Sequence, residues 1–285
     1  MNRLAVDPAW LAALRADCER PPLCPRVPLL ARMHGQEHWI GSVEPDLLRR
    51  IGLEALWLKH GTLLQADAGA AEPAWVLVGE LQPILAALAQ ALRAAGMAGA
   101  WRAEALAVMG DTGQKLGTIE RAAVRPLGIG THAVHLVGLV GAPGPQQRVW
   151  VQQRSFTKPN DPGLWDTLMG GMVGAEDTVA SALERETWEE AGLRLEQLAG
   201  LQLGGRVSQN RPTREAAYAM GGAGYMVEQV HWYGCVLPDG LVPVNRDGEV
   251  EAFALLEQTE LVPMLEGGVF TPEAALILVE ALRLG

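Results

Sequence analysis

Three glutamates lie close together in the second half of the 285-residue chain. Glu186, Glu189 and Glu190 stand at positions i, i+3 and i+4, so on a helix their side chains would share one face. Carboxylates this close repel one another unless cations lie between them, and Mg²⁺ binds hard oxygen ligands of this kind. The spacing therefore predicts a helix over residues 178–191 with a Mg²⁺ site, Mn²⁺ being an alternative ion. The competing interpretation is an ordinary acidic face in contact with solvent.

Two neighbours of these glutamates have structural roles on such a helix. Arg185 is predicted to pair with an acid in the preceding loop and so to fix that loop to the helix. Gly192 is predicted to end the helix, because glycine readily adopts the left-handed conformation that follows a last helical turn.

Helical and strand-like patterns are mixed along the chain, which predicts an α/β (α+β) protein in two parts. The first part has a predicted hairpin at 29–43, a strand at 56–59 and its longest helix at 81–95, whereas the Gly- and Ala-rich residues 98–117 have no firm pattern. In the second part the acidic helix lies among β-rich runs at 134–140, 148–153, 198–207 and 226–237. The predicted domains are 1–122 and 123–285.

Composition narrows the classes of partner. The chain has 33 acids against 23 Lys and Arg, and a net charge of −10 argues against binding to nucleic acid or to an anionic membrane. No apolar run is long enough to span a bilayer, and the first residues lack the pattern of a secretory signal. The three cysteines are too few and too scattered for a disulfide framework. We therefore expect a cytoplasmic protein that acts on a small molecule.

A longer pattern appears when residues are counted back from the glutamates. Gly171 is separated by five residues from Asp177, and Asp177 by seven from Arg185. With the glutamates and the glycine that follows them, this resembles the Nudix box, Gly-x5-Glu-x7-Arg-Glu-U-x-Glu-Glu-x-Gly-U, in which U is bulky and apolar. Two positions depart from the pattern. Asp177 replaces a glutamate, with Glu176 beside it as a substitute, and Thr187 occupies an apolar position.

The resemblance implies a fold and an activity. The fold is a mixed β-sheet sandwiched between helices, here preceded by a smaller α+β N-terminal domain. The activity is Mg²⁺-dependent hydrolysis of an organic diphosphate, with Glu186, Glu189 and Glu190 as metal ligands. Within the box, Glu189 and Arg185 are also implied to take part in catalysis.

The family often uses one more carboxylate outside the box as a base or an extra ligand. Glu249 is the first candidate here and Glu251 the second. Strand alternation would place both side chains on the same side, so the sequence leaves open whether either of them or a box glutamate is the general base.

Other segments resemble one branch of the Nudix superfamily, which carries an N-terminal domain of uncharacterised function and is similar to the Nudix half of fungal thiamine pyrophosphokinase fusions. The similar stretches are 119–123, 132–138, 154–158, 162–166, 247–250 and 270–272. This resemblance implies conversion of thiamine diphosphate, particularly oxidised or damaged forms, to the monophosphate. The alternatives are hydrolysis of ADP-ribose, a nucleotide sugar, a dinucleotide or a (d)NTP, and a non-catalytic module that senses a diphosphate.

Five residues ahead of the acidic helix are candidates for substrate binding. Arg154 and Lys158 could hold a terminal phosphate. Trp165 could stack on a heteroaromatic ring, although a core position is the stronger alternative. The Gly170–Gly171 pair is assigned to the same site. For the N-terminal part the sequence leaves three roles open: a cap on the site, a specificity element and a homodimer interface.

Overall fold

The computed structural model describes residues 5–53, 61–65, 74–213 and 224–284. The predicted strand at 56–59 lies outside these ranges. The helices in the described ranges are all too short or too polar to cross a membrane. Cys18, Cys24 and Cys235 all fall within the described residues and form no disulfide.

The first part of the chain contains a mixed sheet covered by a helix. The sheet has the strand order β2-β1-β4-β3, in which β1 and β4 are parallel and the other pairs antiparallel. The predicted hairpin and long helix are confirmed, and residues 98–117 contribute to a second hairpin that the sequence did not reveal. The elements in chain order are α1 Pro8–Cys18, β1 Val27–Met33, β2 Gln36–Val43, α2 Leu47–Arg50, β3 Gly61–Gln65, β4 Trp75–Gly79, α3 Leu81–Ala94, β5 Ala105–Met109 and β6 Lys115–Glu120.

The second part is built on a larger mixed sheet with the strand order β11-β12-β7-β8-β13. Strands β7 and β12 run parallel, while β10 adds to β7 and β9 to β8 as antiparallel strands. After the short helix α4, the elements are β7 Gly130–Val140, β8 Arg148–Arg154, β9 Trp165–Asp166, β10 Met169–Met172, α5 Val179–Ala191, β11 Ala199–Pro212, β12 Tyr225–Val236, β13 Val250–Leu256, α6 Gln258–Glu266 and α7 Pro272–Leu284. Helix α4 spans Arg121–Val124.

Strand β7 shows why this sheet is covered on both faces. Successive side chains of a strand point to opposite faces, and those of β7 are apolar on both. Val134 and Leu136 pack with α5, whereas Ala133 and Val137 pack with α7. The predicted mixed sheet between helices is therefore confirmed.

The two parts of the chain pack against each other in two places. Helix α1 contacts α7 and β11, and its Leu11 and Cys18 are buried in the core of the second part. Conversely, the apolar core of the first part continues through Leu127 to Ile129. The division into domains at residue 122 stays a prediction.

Helix α5 is held at both ends, which fixes the direction of its acidic face. At the start, the Thr178 hydroxyl accepts a hydrogen bond from the Ser181 N–H at 3.1 Å, while the Ser181 hydroxyl receives the Thr178 N–H at 3.0 Å. At the end, Gly192 has a φ of 65°, and a Cβ there would lie 2.6 Å from the Val244 carbonyl oxygen. The predicted helix and its terminating glycine are confirmed.

Candidate active site

Helix α5 faces a cavity of about 230 Å³ that is lined mostly by charged and polar residues. Ten carboxylates line the cavity: Glu104, Asp161, Asp166, Glu186, Glu189, Glu190, Glu228, Asp247, Glu249 and Glu273. The six cationic side chains are Arg102, Arg121, Arg125, Arg154, Lys158 and Arg185. Because the acids exceed the cations by four, this lining would repel an anionic substrate unless further cations joined it.

All three box glutamates line the cavity, so the face that their spacing predicts is confirmed. Glu190 lies deepest, with 1% of its surface exposed. Its carboxylate accepts hydrogen bonds from Lys158 Nζ at 2.9 Å, Gln152 Nε2 at 2.8 Å and the Gly170 N–H at 3.0 Å. Three donors therefore satisfy this one buried carboxyl group.

Arg185 joins the box loop to the helix. Its guanidinium contacts Asp177 Oδ2 at 2.8 Å and the Met172 carbonyl oxygen at 3.2 Å. It also contacts Glu186 Oε1 at 2.8 Å and Glu189 Oε2 at 3.1 Å. The predicted pairing with a loop acid is therefore confirmed, and the acid is Asp177.

Neither departure from the box pattern removes a contact within the motif. Glu176 does not substitute for Asp177, since its side chain is 89% exposed and pairs with Lys115 outside the loop. Thr187 is fully buried, and its hydroxyl donates to the Leu183 carbonyl oxygen at 2.6 Å. The buried hydroxyl is thus satisfied within the helix.

Burial and neighbouring carboxylates disfavour the charged form of one glutamate on the acidic face. Burial, together with the charge of Glu190, raises the pKa of Glu186 to about 7 even though Arg185 opposes the shift. In the described residues no three carboxylate, imidazole or thiolate groups stand together as a ready metal site. The donors are nonetheless the hard oxygens that Mg²⁺ prefers, and a divalent ion would relieve the repulsion that raises this pKa. The side chains present therefore fit the implied ion.

Lys158 connects the box to Glu249. Its ammonium group lies 2.9 Å from Glu190 Oε1 and 2.7 Å from Glu249 Oε2. Burial opposes its charge most strongly, but Glu190 and Glu249 together outweigh burial and raise the pKa of Lys158. Burial likewise opposes the charge of Glu249 most strongly, but Lys158 with Arg102 and Arg121 outweighs it and lowers the pKa of Glu249. Both groups are therefore charged at neutral pH.

The end of helix α5 anchors the segment that leads to Glu249. The N–H groups of Val244 and Arg246 donate to the carbonyl oxygens of Ala191 and Glu189, at 2.8 and 3.2 Å. The guanidinium of Arg246 also lies 3.9 Å from the ring centre of Trp188 on the same helix. The position of Glu249 thus follows that of the box helix.

The expected strand alternation of Glu249 and Glu251 is wrong. In the pairing with β8, Val250 lies opposite Arg154 and Ala252 opposite Gln153, so Glu251 is the extra residue of a β-bulge. Glu251 is exposed and does not line the cavity, whereas Glu249 does. Glu249 as the general base stays a prediction.

Arg154 lines the cavity but its guanidinium mainly organises the loop after β8. It contacts the carbonyl oxygens of Asn160 at 2.9 Å and Asp161 at 3.2 Å, and Asp166 Oδ2 at 3.3 Å. Trp165 lies outside the cavity lining and packs against the core between the sheet and α7, which is the alternative that the sequence left open.

Gly170 and Gly171 line the cavity, and their lack of a side chain leaves room for His135 and Glu186. A Cβ on Gly170 would lie 2.7 Å from the His135 ring, and one on Gly171 would overlap the Glu186 carboxyl group. A larger residue at either position would displace the side chain opposite, because both side chains approach the backbone so closely.

Sequence reasoning missed the cavity wall that residues ahead of β7 supply. Arg102, Arg121 and Arg125 lie on this wall, and Arg125 makes a buried ion pair with Glu228 at 3.3 Å. Arg121 falls in the branch-like segment 119–123, which was the available signal. Nothing in the spacing around Arg102 pointed to a site.

The β5–β6 hairpin also holds the box loop. The Ala175 N–H donates to the Ala105 carbonyl oxygen at 2.9 Å. Lys115 Nζ lies 2.6 Å from the Ala175 carbonyl oxygen and 2.8 Å from Glu176 Oε1. The N-terminal part thus positions the loop that carries Asp177.

Lys115→Met is expected to lower turnover roughly three- to tenfold with little change in melting temperature, because one charged hydrogen bond to the loop backbone is lost. Glu176→Gln is the matched control: it removes the exposed ion pair but keeps the bond to the Ala175 carbonyl. Steady-state kinetics of both variants decide the matter. Equal rates for both would show that Lys115 does not hold the loop.

Residues 134–274 match the sequence model of the NUDIX domain. This part of the chain is therefore similar to Nudix domains, and it is called the Nudix domain here. The chain is 29% identical over 175 residues to an uncharacterised protein of Saccharomyces cerevisiae, a match that covers 58% of this chain and 49% of that protein. It is 28% identical over 174 residues to the chloroplastic Nudix hydrolase 20 of Arabidopsis thaliana, covering 58% and 42%. The chain thus spans about half the length of these relatives or less.

A structural comparison gives a weaker likeness. The crystal structure of DR0079 from Deinococcus radiodurans has 17% sequence identity to this chain and a TM-score of 0.47, and the match covers 63% of this chain and 99% of that chain. The matched Nudix domain includes the box, Lys158 and Glu249, whereas Arg102 and Arg121 precede it. The cavity is therefore formed by the Nudix domain together with residues from outside it.

Proposed function

We propose that this protein is a Mg²⁺-dependent hydrolase of an organic diphosphate. The observation that carries the proposal is the meeting of Glu186, Glu189 and Glu190 on one wall of a charged cavity inside the Nudix domain. These three carboxylates would hold the ion, which supplies positive charge that neutralises the diphosphate and polarises its P–O bonds. The excess of acids in the lining is the second support, since it leaves room for that charge.

The proposed reaction adds water across a phosphoric anhydride. The water oxygen attacks one phosphorus in line, the bridging P–O bond breaks, and the departing phosphate keeps the bonding electrons. One proton of the water passes to a carboxylate. Glu189 and Glu249 both line the cavity and are partly exposed, so both are placed to accept it.

The two cationic residues next to the glutamates act through their positions. Arg185 holds Glu186 and Glu189 in place and ties them to Asp177, so it acts through the glutamates. Lys158 faces the cavity between Glu190 and Glu249, where its ammonium group can contact a substrate phosphate.

For the substrate we favour thiamine diphosphate or an oxidised or damaged analogue, cleaved to the monophosphate. The branch-like segments support this assignment. A cytoplasmic location, with its reduced thiols, agrees with the free cysteines. A homodimer stays a prediction.

A diphosphate panel tests the proposal. Purified protein with Mg²⁺ would receive thiamine diphosphate, its oxidised form, ADP-ribose, a nucleotide sugar, a dinucleotide and a dNTP, and the products would be identified by mass spectrometry. We expect the thiamine compounds to give monophosphate and inorganic phosphate at the highest kcat/KM. Preference for a nucleoside derivative would overturn the substrate assignment. Binding without turnover of any compound would favour the sensor module over the enzyme.

A further inference from the structure

Two arginines of the N-terminal part line one wall of the cavity. Both come before the Nudix domain in the chain. Arg102 comes before β5 and Arg121 begins α4, and their side chains are 30% and 27% exposed. Both also line a smaller recess of about 30 Å³ that continues from the cavity, together with Arg125 and Asn160. Guanidinium groups from separate points of the chain therefore share one space.

Contacts within the N-terminal part hold both arginines in place. The Arg121 N–H donates to the Glu104 carbonyl oxygen, and its Nη1 donates to Glu104 Oε2, both at 2.8 Å. The Arg102 N–H donates to Glu120 Oε1 at 3.1 Å, and the preceding Trp101 ring lies 4.4 Å from the guanidinium of Arg93. The two cations are thus placed before any ligand arrives.

The guanidinium of Arg102 retains capacity to bind a ligand. The ion pair that the described residues give it is long, 4.0 Å from Nη1 to Glu249 Oε1. That contact also shows that Arg102 reaches the carboxylate next to Lys158. Arg121 pairs with Glu104 but keeps 27% of its side chain exposed, whereas Arg125 is only 7% exposed and has little surface left for a ligand.

Shape and charge together indicate which anion would fit. Arginine binds phosphate oxygens through paired N–H groups. A terminal phosphate carries close to two negative charges at neutral pH, which two arginines can balance, whereas a phosphate esterified on both sides carries one. The recess of about 30 Å³ beside these arginines has room for groups of the size of a phosphate oxygen or a water.

We propose that Arg102 and Arg121 form a subsite for the terminal phosphate of the substrate, so that the N-terminal part selects diphosphates with one free end over those esterified at both ends. This inference rests on the proposed function. It assigns to the N-terminal part a direct role in substrate recognition.

The test is the affinity for methylenediphosphonate, a diphosphate analogue that water does not cleave, measured by calorimetry with Mg²⁺ present. Arg102→Ala is expected to weaken binding at least roughly tenfold, and Arg102→Lys to retain part of the affinity. Arg32→Ala is the matched control, because Arg32 belongs to the same part of the chain but pairs with Glu37 at the surface. That control should bind within about twofold of the wild type.

Kinetics separate binding from a general structural defect. Arg102→Ala should raise KM for thiamine diphosphate about tenfold with kcat within about threefold, because the lost contact is to a phosphate held throughout the reaction. If Arg102→Ala has the same affinity and KM as Arg32→Ala, this inference is overturned, while the proposed function still stands. A wild-type protein that neither binds the analogue nor hydrolyses any diphosphate would overturn the proposed function as well.

Discussion

Glu190→Gln is expected to lower kcat by at least roughly 100-fold, which corresponds to about 2.7 kcal/mol of lost transition-state stabilisation. The Glu190 carboxylate accepts hydrogen bonds from Lys158, Gln152 and the Gly170 N–H in a fully buried position. A glutamine amide has the same shape, but its NH₂ group is a donor and would face the donors that now bind the carboxylate. The substitution also removes one of the negative charges that would bind Mg²⁺. Steady-state kinetics with Mg²⁺ measure the loss.

The control for this variant lies on the same helix. Glu184→Gln removes an equal charge at an exposed position of α5 and should leave kcat within about twofold. Circular dichroism should show both variants folded. A Glu190→Gln protein that is folded and retains wild-type turnover would show that the acidic face of α5 is not the reaction site.

Gly171→Ala is expected to have a comparable effect through packing. A Cβ at this position would overlap the Glu186 carboxyl group, and the antiparallel pairing of Gly171 with Val134 leaves the β10 backbone little freedom to retreat. The Glu186 side chain must therefore move away from the position that Arg185 and the cavity define. We expect roughly a 100-fold loss of kcat/KM and a higher Mg²⁺ requirement. A Mg²⁺ titration of turnover measures both.

Gly130→Ala is the matched control for this substitution. Gly130 begins β7, the strand that pairs with β10, and the nearest atom to an added Cβ would be Val227 Cγ1 at 3.9 Å, an ordinary contact. Its rate should match the wild type. If Gly171→Ala is equally active at the same Mg²⁺ concentration, Glu186 does not need the position seen here.

The box could be predicted from sequence because its parts are local. Helix spacing alone places the three glutamates on one face, and Arg185 meets Asp177 because both belong to one loop and helix. The sheet that carries them was also predictable from β-rich runs such as those of β7 and β8. The contacts of the box lie within a few turns of chain, and each β-rich run is a local pattern in the sequence.

Features that depend on tertiary contacts could not be predicted. The bulge at Glu251 is visible in the pairing of β13 with β8 and not in the residues themselves. Arg102 reaches Glu249, 147 positions further along the chain, and no periodicity relates two such residues. The roles of Lys115 and Arg121 likewise follow from how the N-terminal part packs on the Nudix domain.

The central claim is that one metal-dependent site for diphosphates lies between the box helix and the N-terminal part. The most direct test is the release of monophosphate from the diphosphate panel, followed by mass spectrometry for the wild type and Glu190→Gln, each with Mg²⁺ and with a chelator. The account predicts that the wild type hydrolyses at least one compound with Mg²⁺, that the chelator stops the reaction, and that Glu190→Gln is nearly inactive. Hydrolysis that persists with the chelator or in the variant would contradict it.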